Sequence, residues 1–136
     1  MKSEKLWCHE QVVTLIYGVA MSAPSVLRDK SYLFAIRIVK CVQFLRSEKK
    51  EYILSSQIMR SGTAIGALVR EAQFAQSRAD FSHKMNIALK ESNETEYWIS
   101  LLKDTDYISN EMFESLDSDC RELIAMLVAT VKKTKE

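Results

Sequence analysis

Glycine and proline are scarce in this 136-residue chain, three and one respectively. Their scarcity excludes collagen-like, low-complexity and turn-rich all-β architectures. The three cysteines, Cys8, Cys41 and Cys120, are odd in number and far apart, which excludes a disulfide framework and the close pairing of a zinc or redox motif. A reducing cytoplasm suits them. Long apolar runs are also missing: VVTLIYGVAMSA (12–23) is too short to span a bilayer, and the stretch before it sets Glu4 and Glu10 against Lys2 and Lys5, so it lacks the positive bias of a signal peptide.

What is present reads as helix. Leu, Ile and Ala alternate with Glu, Lys, Arg and Asp, and strand alternation is almost absent after Pro24. The chain is long enough to bury one core without staples. Residues 1–28 read as an N-terminal extension, with Met21 opening a polar lead into the fold, or as a short helix packing Leu15, Ile16 and Val19 on the core. Residues 29–136 read as one domain of four helices. The first spans about Ser31 to Ser47, the second Tyr52 to about Gln76. The third starts after a Ser77 N-cap, with Asp80 giving a capping-box-like carboxylate, and runs to about Lys103; the fourth runs from near Ser109 to about Lys133, with a possible break at Asp117 and Ser118.

The second and third helices carry matching seams. Leu54, Ile58, Ser61, Ile65, Leu68, Ala72 and Ala75 repeat at heptad-like spacing, as do Phe81, Met85, Ala88, Ser92, Thr95, Ile99 and Leu102. Folded as an antiparallel hairpin, facing pairs have a constant residue-number sum, Ser61 meeting Thr95 and Ile58 meeting Ile99. The fold class that follows is all-α, an antiparallel up-down-up-down four-helix bundle.

Within the second helix, QIMRSGTAIGALVREAQFA (57–75) places Gly62 and Gly66 where each costs stability relative to alanine. A phosphate loop needs Gly followed by Lys and Ser or Thr after a strand, whereas Ala67 and Leu68 follow Gly66. The remaining reading is close packing: Gly62 makes room for the Trp98 indole from across the hairpin, and Ser61, Ser92 and Thr95 form a small polar layer that fixes register. A ligand pocket beside Trp98 is the competing reading.

The net charge of +1 hides an asymmetry. Residues 1–90 carry 14 Lys and Arg against 7 acids, 91–131 carry 2 against 10, and 132–136 carry 3 against 1. A basic face is the usual footprint for phosphate backbones; neutralisation between neighbouring helices is the alternative. The candidate RNA-binding cations are Arg37, Lys40, Arg60, Arg70, Arg78 and Lys84. Aromatic residues mostly fall on apolar faces, so binding would follow backbone and shape rather than base sequence. Glu91, Glu94 and Glu96 cluster on the third helix, where they could bind a cation; the favoured reading is that Glu91 and Glu94 pair with Lys90, Arg60 or an arginine of an adjacent subunit. The first helix is so apolar between Leu33 and Leu45, with only Arg37, Lys40 and Gln43 polar, that surface is left over for another subunit.

Catalytic chemistry finds no support. A di-iron bundle needs carboxylates from all four helices and Glu-x-x-His pairs, and the first helix has no acid between Ser31 and Ser47. His83 stands without a second base, so no catalytic residue, metal or cofactor is expected, and buried Cys41 and Cys120 should be inert.

The segments SYLFAIRIVK, RSGTAIGA, EAQFAQSRADFSHK and ALKESNETEYW, over roughly residues 29–135, resemble the bacterial family of 23S ribosomal RNA intervening-sequence proteins, whose relatives include the accessory protein of diversity-generating retroelements. The resemblance implies a four-helix bundle assembling as a homopentamer, without enzymatic activity, and partners among structured RNA or a protein such as a reverse transcriptase. Gly66 departs from the family, whose members often carry another small or polar residue there.

Overall fold

The computed structural model describes residues 26–135, so residues 1–25 of the N-terminal extension expected over 1–28 lie outside the described residues, and residues 26–28 belong to the first helix instead. Four helices make up the described chain: α1 (Val26–Glu48), α2 (Leu54–Ala72), α3 (Arg78–Asp104) and α4 (Asn110–Thr134). Each packs on its neighbour in sequence, and α4 closes back on α1. The result is the expected antiparallel bundle.

The helix starts follow from local hydrogen bonding. Ser77 caps α3 by accepting from the Asp80 amide at 3.0 Å, and Ser109 caps α4 by accepting from Met112 at 3.1 Å, as their spacing indicates. The Asp80 carboxylate reaches back to the Gln76 amide, one residue short of a reciprocal capping box. No Ser or Thr caps α2; instead the Glu51 carboxylate accepts from the Ser55 and Ile53 amides at 2.8 and 3.2 Å. Two boundaries differ from expectation. Helix α1 begins at Val26 because Leu27 already faces the core, which puts Ser31 inside the helix, its Oγ donating to the Arg28 carbonyl. Helix α2 stops at Ala72, and α4 runs through Asp117 and Ser118 without interruption.

The α2–α3 seams meet in the expected register. Thr95 Oγ1 donates to Ser61 Oγ at 2.9 Å, and Ile58, Ile65, Ala72, Met85, Ala88, Ser92, Ile99 and Leu102 are all buried. Cys120 on α4 adds its thiol to this polar layer, donating to the Ser92 carbonyl at 3.4 Å.

Gly62 has a different partner from the one expected. A Cβ there would lie 2.7 and 2.9 Å from Cγ1 and Cγ2 of Ile38, so the missing side chain admits α1, not the indole. Trp98 is half-buried instead, its Nε1 donating to Glu94 Oε2 at 3.0 Å and its ring set edge-to-face with Tyr97. Gly66 works on the same seam, since its Cβ would come within 3.2 Å of the Ser31 carbonyl oxygen. Both glycines therefore let α1 and α2 approach closely, which offsets their intrinsic helix cost.

Candidate functional site

Antiparallel packing brings four termini together at one end of the bundle: the start of α1, the end of α2, the start of α3 and the end of α4. Arg78 Nη2 donates to the Lys133 carbonyl at 3.3 Å, and Ser82 and Thr134 share a 3.0 Å hydroxyl contact. This end collects Arg28, Lys30, Arg70, Arg78, Lys84, Lys132, Lys133 and Lys135 against Asp29, Glu71 and Asp80. Some of these cations are engaged: Arg28 pairs with Asp29, Lys30 with Glu122 on α4, and Lys84 stands 3.9 Å from Glu71. Among the described residues, Arg70, Lys132, Lys133 and Lys135 make no ion pair. Arg70 rests instead over the Tyr32 ring, 5.7 Å from its centroid.

Three of the six candidate cations, Arg70, Arg78 and Lys84, thus share one end. The others separate. Arg37 is 1% exposed: its guanidinium donates to Asp119 Oδ2 at 2.6 Å and to the carbonyl and hydroxyl of Ser115 at 3.1 and 2.8 Å, joining α1 to α4. As a phosphate-binding side chain it is therefore ruled out, because its donors are consumed inside the bundle. Arg60 is exposed but bridges Glu91 and Glu94 on α3, the pairing expected of those acids. Lys40 lies half-buried partway along α1 and makes no ion pair among the described residues. The basic end was missed in sequence because Lys132, Lys133 and Lys135 read as a tail. Exposed aromatics are also more frequent than expected, with Phe74, in the α2–α3 connection at this same end, 81% exposed.

A second cluster lies between α3 and α4. Glu96 Oε2 and Asp117 Oδ2 each sit 3.0 Å from the Arg121 Nε. Asp117 is buried, and its Oδ1 has no hydrogen-bond partner among the described residues. Burial first, and the adjacent Glu96 carboxyl next, raise the Asp117 carboxyl above the ordinary aspartate value. The two buried thiols are unreactive by the same physics: desolvation pushes Cys41 up to about 12, Arg37 opposing it only in part, and Cys120 also rises, chiefly through burial. Among the described residues no group of three or more His, Cys, Asp or Glu is placed to hold a metal, and His83 is exposed on α3. No described helix is long and apolar enough to cross a membrane.

An all-α antiparallel bundle with one cationic end is the class of protein that fold and surface define. Within that class, this chain belongs to the 23S rRNA-intervening sequence protein family, which matches residues 25–129. It is similar to a solved structure from Bacteroides thetaiotaomicron, described as a protein of unknown function from the S23 ribosomal protein family. The two are 55% identical over 79% of this chain and 99% of that one, with a TM-score of 0.78. No curated protein matches.

Proposed function

We propose that this protein is a non-enzymatic, oligomeric bundle of the cytoplasm that binds structured RNA, ribosomal or other, through its basic end. The observation that carries this reading is the placing of Arg70, Lys132, Lys133 and Lys135, all without ion pairs among the described residues, at one end of the bundle, where Arg78 also reaches the Lys133 carbonyl. Cations already neutralised by neighbouring carboxylates release few counterions from RNA; cations without such partners release them fully. Oligomers, homopentamers by resemblance, multiply a modest patch through avidity, and the half-buried Leu33, Ile36 and Val39 on α1 supply an apolar strip for contact between copies.

The test is a titration of ribosomal RNA fragments at several salt concentrations. Affinity should fall steeply with salt, and Lys132→Gln with Lys133→Gln should lower the slope of log affinity against log salt by about two. Absence of binding at low salt overturns the proposal. A second reading, a protein-interaction scaffold for a partner such as a reverse transcriptase, is favoured by Tyr52 and Ile53 at the opposite end of the bundle, where Ile53 is 77% exposed.

A further inference from the structure

Between α1 and α2, beside the basic end, runs a groove of about 370 Å³. Gly66 and Ala35 line its apolar part, and Tyr32, Arg70, Arg28 and Glu71 stand around it. Two of its features are unusual for a plain inter-helix furrow. Tyr32 keeps 51% of its surface exposed although α1 is otherwise rich in buried apolar side chains. Among the described residues Arg70 is held by that ring and not by a carboxylate, while Glu71, one residue on, lies 3.9 Å from Lys84.

An arginine steadied on an aromatic face keeps its N–H donors for a ligand, and the ring with its apolar neighbours offers a π-surface of nucleobase dimensions. Duplex RNA presents phosphates but no splayed base, so it can use the basic end and cannot fill this groove. Resting on the RNA reading above, we infer that the groove receives an unpaired nucleotide of the bound RNA, its base stacked against Tyr32 and its phosphate bonded by Arg70. The protein then distinguishes RNA with a single-stranded segment next to a helix from uninterrupted duplex. Charge complementarity favours this occupant: Arg70, without an ion pair among the described residues, stands beside the apolar floor, as a base-plus-phosphate unit requires.

The experiment compares the full-length chain with Tyr32→Ala, Tyr32→Phe and Arg70→Gln. Each is titrated by fluorescence anisotropy against a labelled hairpin RNA bearing a single-stranded tail and against the same hairpin without the tail. Wild-type protein should prefer the tailed RNA. Tyr32→Ala should weaken tailed binding about ten-fold, leave the blunt hairpin within two-fold, and be rescued by Tyr32→Phe, as loss of one stacked base requires. Arg70→Gln should weaken both. Because Tyr32 is exposed, its variants should keep the wild-type circular dichroism melt. If both RNAs bind and Tyr32→Ala changes neither, the nucleotide site is refuted while the basic end stands; if neither RNA binds the wild type, the RNA reading itself fails. Tyr32→Ala that breaks the oligomer, or tailed binding that emerges only when residues 1–25 are removed, assigns the groove to a second copy or to the chain's own N-terminus and overturns the inference.

Discussion

Placing one methyl group at position 62 tests the close approach of α1 and α2. Gly62→Ala removes a helix penalty of about 0.5–1 kcal/mol, so on propensity alone the variant should be more stable. The added Cβ, however, would lie 2.7 Å from Ile38 Cγ1 and 2.9 Å from Cγ2, inside any normal carbon contact. Those atoms are not the loose end of a side chain. Ile38 is β-branched, held to few rotamers in a helix and 0% exposed, so it has nowhere to turn. Overpacking of this kind costs about 1–3 kcal/mol and should outweigh the propensity gain, leaving the variant about 1–2 kcal/mol less stable. Urea unfolding of the wild type, Gly62→Ala, Ile38→Ala and the double variant measures it. Ile38→Ala alone should cost about 2–5 kcal/mol, and the two changes together should cost about 1 kcal/mol or more below their sum, because the new methyl occupies part of the cavity. A Gly62→Ala chain as stable as the wild type, or strict additivity, would refute the close-approach account.

Two further outcomes follow from the buried charges. Arg37→Leu should lower stability by about 3 kcal/mol or more in urea unfolding, since Asp119 and Ser115 lose a shared donor in the α1–α4 interface, while RNA affinity of the folded variant stays at the wild-type level; an affinity loss without a stability loss would restore Arg37 to the surface. For Asp117 the folded-state carboxyl binds its proton more tightly than the unfolded one does. Its contribution to stability is therefore complete below the ordinary value of 3.8 and is lost as pH rises through the raised folded value. Asp117→Asn should match the wild type near pH 3 in chemical unfolding and exceed it at pH 7; a wild type that gains on the variant as pH rises would show that the Arg121 ion pair outweighs burial.

Much of this fold is legible in the residues. The α2–α3 register follows from two heptad seams whose constant sum survives as the Thr95–Ser61 hydrogen bond, and Ser77 and Ser109 declare their helix starts. The α1 interfaces are less legible, for a physical reason. A helix in a closed bundle has neighbours on two sides, so a bare position such as Gly62 can serve either seam, and one helical wheel does not say which. Arg37 misleads similarly: a polar residue on an apolar helix reads as outward until Asp119 and Ser115, far along the chain, are known to lie opposite. The cationic end could be seen only in outline, because Arg28, Arg70, Arg78 and Lys132 reach the same end of the bundle through the directions of four helices, and sequence separation conceals that.

The depth at which Cys41 and Cys120 sit gives the bundle a built-in reporter. Neither sulfur offers solvent a thiolate while the helices stay together, so an alkylating reagent reaches them only through openings of the bundle, and its rate of consumption reports on those openings.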